Sequence, residues 1–341
     1  MDVAKSIEQI RKQHGKELLV LGHHYQRPAV LAHTDAIGDS LELARRAASE
    51  KKATKIVFCG VHFMAESADI LTGPGQTVYM PEPDAGCPMA DMASESQVMA
   101  AWEALQRRGG GDWLPVVYVN SSAAIKALCG EWGGSTCTSS NAGKIFNWVL
   151  CQGKRVFFLP DEHLGVNTAH DLEITEEEIR VFDPSMEHGG LTTDELEQAK
   201  VIAWKGHCHV HTTFGINDVR HVRDQFPAAK IIVHPETPRQ VVEMSDAHGS
   251  TSQIIKYVEA ANSGSIIFVG TEAHLVERLA REHEGRVTVK MLSHSICPNM
   301  YMTTEESLLA VLEGWSPENA IHVEKKTADR ARSALERMLT I

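Results

Sequence analysis

The sequence predicts an α/β fold made of three homologous three-layer α/β/α (Rossmann-like) domains around a pseudo-threefold axis. Three observations lead to this prediction. A short apolar run that ends in polar residues occurs three times, a small-polar patch that opens a helical pattern follows each run, and a cysteine closes each set. Short β-branched runs that alternate with helical patterns are typical of buried parallel strands in βαβ units.

The spacing within the three sets agrees. The interval from strand end to helix opening is 17 positions from His23 to Ser40, 19 from Asn120 to Ser139 and 15 from Glu236 to Thr251. Two further strand-like runs follow in each set, so the connections are expected to be right-handed crossovers. Ligands of open α/β sheets bind beyond the carboxyl ends of the strands. Three units that face one axis would therefore share a central cleft.

The repeats suggest domain boundaries. The first domain is expected at 1–114, the second at 115–210 and the third at 211–299, with helices of 300–341 packed on the first. The alternative is a single large doubly wound sheet whose strands merely look alike. That alternative would not explain why a cysteine closes every set.

Composition limits the class of partner. The net charge of −12 argues against nucleic acid, which binds to basic surfaces. An anionic small substrate stays possible because helix N-termini provide local positive fields. The absence of a long apolar run argues against a membrane span, and the N-terminus has no signal-peptide core, so a cytoplasmic protein is expected.

The cysteines that close the three sets are Cys87, Cys208 and Cys297. Three thiolates fit a cubane iron–sulfur cluster with one iron left open as a Lewis acid. A single buried cysteine is often only a small apolar residue, and three cysteines with His211 could instead bind zinc. The other four cysteines, 59, 129, 137 and 151, are interpreted as core residues or free thiols.

The helix openings contain Ser40, Ser139 and Thr251. Hydroxyl residues at the first turn of a helix usually act as N-caps. Together with free backbone N–H groups they can also bind a phosphate or carboxylate. Three such openings in register favour substrates with several negative groups.

The strand ends contain acid, base and amide side chains. Imidazole, phenol and carboxylate groups exchange protons, and burial shifts their pKa values. Eighteen histidines also make chance positions common. The candidates at strand ends, with one that follows Cys208, are His23, Tyr25, Tyr118, Asn120, His234, Glu236 and His211.

Motifs along nearly the whole chain resemble the quinolinate synthase A family, in the same order and with similar spacing. Some relatives carry a further CxxC near the third cysteine, whereas Cys297 is alone here. The matching segments are GHHYQ (22–26), IGDSLELAR (37–45), CGVHFMAESA (59–68), GCPMADM (86–92), VVYVNSSAAIKA (116–127), CTSSNA (137–142), PDEHLG (160–165), WKGHCHVH (204–211), HPET (234–237), GSTSQ (249–253) and CPNM (297–300).

The resemblance implies a quinolinate synthase of NAD biosynthesis. Such an enzyme condenses iminoaspartate with dihydroxyacetone phosphate to quinolinate, phosphate and water. It implies a [4Fe–4S] cluster on Cys87, Cys208 and Cys297, and the enzyme that supplies iminoaspartate is a candidate partner. The substrate contacts that it implies are His23, Tyr25, Ser40, Tyr118, Asn120, Ser139, His211, His234, Glu236 and Thr251.

Within this set, Glu236 is our candidate general base, and Tyr25, His23 and His211 are candidates for proton delivery. Three other functions are alternatives. An aconitase-like iron–sulfur hydro-lyase would share the open iron but not need two substrates. A non-catalytic cluster sensor would need a basic DNA- or partner-binding element, which the sequence does not show. The third alternative is a zinc protein.

Overall fold

The computed structural model describes residues 2–108 and 110–341. It contains three separate sheets of parallel strands with helices packed against them, so the predicted α/β class is confirmed. Strand interiors are buried almost throughout, as expected for parallel strands that helices cover on both faces.

The first sheet is formed mainly by the N-terminal third of the chain. Its central strand lies between a strand on each side, and all of these pair in parallel. The elements are α1 (Val3–His14), β1 (Leu18–His23), α2 (Pro28–Leu31), β2 (Ala36–Gly38), α3 (Ser40–Ser49), β3 (Lys55–Cys59), α4 (His62–Leu71), β4 (Thr77–Tyr79) and α5 (Glu95–Arg108).

The second sheet repeats this arrangement with one additional strand, β8, at its edge. Its elements are β5 (Trp113–Tyr118), α6 (Ala123–Glu131), β6 (Ser135–Cys137), α7 (Ala142–Leu150), β7 (Arg155–Leu159), α8 (Glu162–Asp171), β8 (Ile179–Phe182), α9 (Thr193–Gln198), β9 (Val201–Trp204) and α10 (His209–Thr212).

The third sheet has four strands, which pair in parallel. Its elements are α11 (Ile216–Gln225), β10 (Lys230–Val233), α12 (Arg239–Met244), β11 (Ala247–His248), α13 (Thr251–Glu259), β12 (Ile266–Gly270), α14 (Ala273–Glu282) and β13 (Thr288–Met291).

The strand order is equivalent in the three sheets: β2-β1-β3-β4, β6-β5-β7-β9 and β11-β10-β12-β13. The chain therefore starts each sheet at an inner strand, adds a short strand on one side and then crosses to the other side. Those short strands, β2, β6 and β11, were not predicted from the sequence. They span only two or three residues, too few to show a period of two.

The C-terminal segment adds α15 (Glu305–Gly314), β14 (Ala320–Ile321) and α16 (Lys325–Thr340). Helix α15 shares a core with α1, and β14 pairs antiparallel with β4. Helix α16 instead packs chiefly against α6 and β6, and also against α4. Residues 300–341 therefore do not pack on the first sheet alone.

The close approach of α16 to α6 requires Gly130, where an added Cβ would lie 2.0 Å from the carbonyl oxygen of Arg330.

No helix among the described residues is long and apolar enough to span a lipid bilayer.

Candidate active site

One cavity lies where the carboxyl ends of the three sheets meet. Loops after β4, β9 and β13 bring Cys87, Cys208 and Cys297 to its wall. The volume of the cavity is about 70 Å³. The structure thus brings together the three cysteines that close the three sets in the sequence.

The three cysteines share a local conformation. Each carbonyl oxygen accepts a hydrogen bond from the amide four residues later: Asp91 N to Cys87 at 3.3 Å, Thr212 N to Cys208 at 3.0 Å and Tyr301 N to Cys297 at 3.0 Å. A single helical turn follows each cysteine, at Ala90–Met92, His209–Thr212 and Met300–Met302. Each of the three cysteines therefore lies at the start of the same kind of helical turn.

The three cysteines are half-buried, and the pKa of each thiol is shifted by its surroundings. Burial raises the pKa of Cys87 to about 12, and the neighbouring Cys297 raises it further. Burial also raises the pKa of Cys208 well above its usual value, with further increases from Glu236, Cys87 and Cys297. Backbone amides of Met300 and Asn299 donate to Cys297 and partly offset the burial. Cysteine thiolates, some with N–H donors, are the usual ligands of an iron–sulfur group, so three cysteines in the wall of one cavity fit such a group.

A second set of donors overlaps with the first. Ligand atoms of Cys208, His211 and Glu236 all lie within 4.8 Å of one another, so these three residues could also bind a metal ion. The sequence allows His211 as a fourth zinc ligand, and His211 lies beside Cys208 in the structure.

Glu236 lies at the centre of the polar groups. Its carboxylate accepts a 2.5 Å hydrogen bond from the hydroxyl of Tyr118, and ring nitrogens of His211 and His234 are each 3.7 Å away. The two imidazole rings stack with centroids 4.2 Å apart. All these side chains are buried. Tyr118 comes from the second sheet and Glu236 from the third, so the carboxylate joins two sheets.

Burial separates the protonation states of these groups. It raises the pKa of Glu236 to about 7, although hydrogen bonds from Tyr118 and Cys208 lower it in part. It lowers the pKa of His23 and of His211 to about 3, so both imidazoles are neutral at neutral pH. It raises the pKa of Tyr118, which keeps that phenol protonated. Glu236 is therefore the member of this group that can gain or lose a proton near pH 7.

Tyr25 joins the first sheet to the third. Its hydroxyl lies 2.9 Å from the Thr271 hydroxyl and accepts a 3.2 Å hydrogen bond from Thr251. The backbone amide of Tyr25 donates to Nδ1 of His23, and the two rings meet edge to face. Burial raises the pKa of Tyr25, so it acts as a neutral donor.

The helix openings differ from the expectation in one place. Ser40 and Thr251 are the first residues of α3 and α13, whereas Ser139 lies in the turn before α7, which begins only at Ala142. The N-caps are Asp39 and Ser250 instead. The sequence pattern of small polar residues is the same in all three cases, but it does not fix the residue at which the backbone becomes helical.

The three units meet at Asp39. Its carboxylate accepts hydrogen bonds from Ser140 of the second unit at 2.6 Å and Ser252 of the third at 2.8 Å. It also caps α3 by accepting from the amides of Leu41 and Glu42. Sequence reasoning missed this junction, because only the tertiary structure places residues 101 and 213 positions away beside Asp39.

Two more buried residues were missed. Asp161 caps α8 and is fully buried, and burial together with the nearby Glu236 raises its pKa well above the usual value. Asn167, also on α8, donates from its amide nitrogen to the carbonyls of Pro235 at 2.8 Å and Thr237 at 2.9 Å. It therefore holds the backbone on both sides of Glu236.

All residues predicted for the site line the one cavity. They come from all three sheets, and none lies elsewhere in the fold. They are His23, Tyr25, Ser40, Cys87, Tyr118, Asn120, Ser139, Cys208, His211, His234, Glu236, Thr251 and Cys297.

Of the remaining cysteines, Cys59, Cys129 and Cys137 are buried free thiols and Cys151 is exposed. Among the described residues that line the cavity, two have a buried polar atom without a protein partner: Oδ1 of Asn120 and Nδ1 of His211. Such atoms are suited to a ligand.

Fold and site together define an enzyme with a central thiol-lined cavity between three α/β units. A family model, that of the quinolinate synthetase A protein, matches residues 5–340, and the chain belongs to this family.

The sequence of this chain is similar to those of quinolinate synthases over nearly their full length. The chain is 49% identical to a quinolinate synthase of Halalkalibacterium halodurans, 46% to one of Anoxybacillus flavithermus and 45% to one of Bacillus anthracis. Each comparison covers 99% of this chain and 93% of the relative.

Proposed function

We propose that this chain is a quinolinate synthase, which condenses iminoaspartate with dihydroxyacetone phosphate to quinolinate, phosphate and water. We further propose that it holds a [4Fe–4S] cluster on Cys87, Cys208 and Cys297. The observation that carries the proposal is the convergence of these three cysteines, one from each unit, on a cavity that also contains Glu236. Membership of the family supports the reaction itself.

The cavity offers several neutral donors to anionic substrates. The hydroxyls of Ser40 and Thr251 lie at helix N-termini, where the helix dipole favours phosphate and carboxylate groups. Ser139 and Asn120 contribute further donors from the second unit. Holding both substrates together lowers the entropy cost of bond formation, by about 7–11 kcal/mol for ideal alignment.

When bound, a cluster with one iron free of protein ligands supplies a Lewis acid that polarises a substrate oxygen and assists its loss as hydroxide. We assign proton abstraction to Glu236, because its pKa of about 7 lets it accept a proton at neutral pH. Our candidates for proton delivery are Tyr25, which stays protonated, and the neutral imidazoles of His23 and His211.

The test of the ligand set is Cys208→Ala in protein prepared without oxygen. Loss of the charge-transfer absorbance at about 400 nm and of quinolinate formation is expected, because two remaining thiolates do not hold the cluster. The matched control is Cys151→Ala, which removes an exposed thiol at the end of α7. Retention of the absorbance in Cys208→Ala would overturn the assignment.

The metal itself distinguishes the alternatives. About four iron and four sulfide per chain are expected for a cubane cluster. One zinc without sulfide would instead favour a mononuclear site on Cys208, His211 and Glu236. Release of phosphate from dihydroxyacetone phosphate separates the proposed reaction from an aconitase-like hydro-lyase, which would not release it.

We also infer domains at 1–114, 115–210 and 211–299, which the three separate sheets support.

All seven cysteines are free, which favours a reducing compartment such as the cytoplasm. Because iminoaspartate is unstable, the enzyme that supplies it is a candidate partner.

A further inference from the structure

Among the described residues, no lysine or arginine lines the cavity that is proposed to receive strongly anionic groups. Its charged wall residues, Asp39 and Glu236, are acids, and burial keeps His23 and His211 neutral at neutral pH. Three cysteine thiolates, a phosphate and two carboxylates would bring further negative charge into the same space. Helix N-termini supply only partial positive charge. A full positive charge close to the wall would therefore have a large effect.

Lys126, on α6, lies directly behind the wall. It is fully buried, the one lysine or arginine so classified among the described residues. Its ammonium group donates to the carbonyl of Phe63 at 3.2 Å and to the carbonyl of Ser121 at 2.8 Å. Phe63 lines the cavity, and Ser121 directly follows Asn120, which also lines it. The ammonium group thus lies behind residues that form the cavity wall.

Lys126 has no carboxylate within 4.0 Å in the described part of the chain. The neighbouring acid, Glu66, uses one oxygen to accept from the amide of Ala123 at 3.0 Å, and its other oxygen is 3.9 Å from His62. Burial lowers the pKa of Lys126 to about 8, while Glu66 and Cys87 raise it, so the ammonium form prevails at pH 7. A buried charge that lacks an ion partner is costly unless an opposite charge arrives nearby.

We propose that Lys126 supplies the positive charge that balances the anions assembled in the cavity, namely the sulfur-ligated cluster and the phosphate and carboxylate groups of the substrates. This proposal rests on the proposed function above. Lys126 does not contact the ligands, so it acts on them through its electric field across the wall formed by Phe63 and Asn120. The alternative is a purely structural tether between α4 and the loop after β5.

Three variants separate charge from tethering. Lys126→Met removes both charge and hydrogen bonds, Lys126→Gln retains a donor without charge, and Lys126→Arg retains the charge. Lys144→Met, which removes an exposed lysine on α7, is the control. The measurements are the affinity for dihydroxyacetone phosphate by calorimetry, the reduction potential of the cluster and the melting temperature.

If the charge matters, Met and Gln variants bind dihydroxyacetone phosphate about tenfold more weakly, as expected for loss of a nearby charge in a medium of low polarity. Their clusters become harder to reduce, so the reduction potential falls. Lys126→Arg and Lys144→Met stay close to the parent protein in both properties.

Parent-like potential and affinity in Lys126→Gln would overturn the proposal, whatever the melting temperature. So would an arginine variant whose affinity and potential match those of the glutamine variant. If Lys126→Met does not fold, the comparison of Gln with Arg remains decisive. Failure of the parent protein to bind a cluster or make quinolinate would refute the proposed function, whereas only differences between variants bear on Lys126.

Discussion

Tyr118 donates its hydroxyl hydrogen to Glu236 across 2.5 Å, and this bond joins the second sheet to the third inside the cavity. The bond stabilises the ionised carboxylate and so lowers the pKa of Glu236, against the larger effect of burial. The two residues are 118 positions apart in the chain.

Tyr118→Phe removes this bond with little change of shape. We expect the pKa of Glu236 to rise above about 7 and kcat at pH 7 to fall about 10- to 100-fold, the effect of a lost hydrogen bond to a charged group. The measurement is the pH profile of kcat, whose rising part should move to higher pH. An unchanged profile with a lower kcat would show that Tyr118 acts on the substrate instead.

Glu236→Gln tests the assignment of the base. The parent activity should increase as pH rises through about 7, because the base must be ionised. The variant should lose that increase and about 10²–10⁴-fold in kcat, while its cluster absorbance at about 400 nm stays. Turnover near the parent value would exclude Glu236 as the base.

The same residue predicts a stability effect. The pKa of Glu236 is raised from 4.5 to about 7 in the folded protein, because burial favours the neutral acid over the carboxylate. The contribution of the neutral carboxyl to the free energy of unfolding is fully present below pH 4.5. It is lost as pH rises through about 7, and it amounts to about 3 kcal/mol for a pKa shift of this size.

Glu236→Gln should therefore gain stability over the parent between pH 5 and pH 8. Thermal denaturation of cluster-free protein at both values measures this gain. The same difference between variant and parent at both pH values would contradict the expectation.

Asn167→Asp replaces two amide hydrogens with an oxygen that faces the carbonyls of Pro235 and Thr237. The turn that holds Glu236 should shift, because oxygen atoms repel one another there. We expect kcat to fall about tenfold or more with a smaller change of KM, and stability to fall by about 1–3 kcal/mol.

Steady-state kinetics and thermal denaturation measure both effects. Asn147→Asp, an exposed site on α7, is the control. If Asn167→Asp lowers stability but leaves kcat unchanged, Asn167 does not position Glu236.

Gly130→Ala and Gly143→Ala form a matched pair, since both glycines lie inside helices. An added Cβ at Gly130 would collide with the backbone of α16, 2.0 Å from an oxygen, whereas at Gly143 nothing lies within 4 Å. We expect Gly130→Ala to lose about 1–3 kcal/mol or more and Gly143→Ala to gain about 0.5–1 kcal/mol. Thermal denaturation of both variants measures these changes in stability. Equal changes in the two variants would mean that α16 does not pack closely on α6.

Much of the site was predictable because it lies at strand ends. Parallel strands fix where their carboxyl ends point, so His23, Asn120 and Glu236 could be assigned to one cleft from three similar segments. The cysteines followed from the same repeat. Ser139 was misplaced relative to its helix, since a cluster of small polar residues does not mark the first helical residue.

The residues that were missed share a different property. Asp39 was passed over in favour of its neighbour Ser40, and Asn167 and Lys126 lie inside helical segments whose patterns indicate only packing. Their partners are 101, 68 and 63 positions away in the chain. Local sequence carries no signal for such contacts, whereas it carries a strong one for strands.

The sequence alone determined the three α/β units, the ends of their main strands and the cysteine that closes each unit, because hydrophobic periodicity and residue chemistry are local properties. Only the tertiary structure decided the order of the strands, the packing of α16 on α6 and the environment of Glu236. The pKa of that carboxyl depends on burial and on neighbours from another sheet, and burial is a property of the assembled fold.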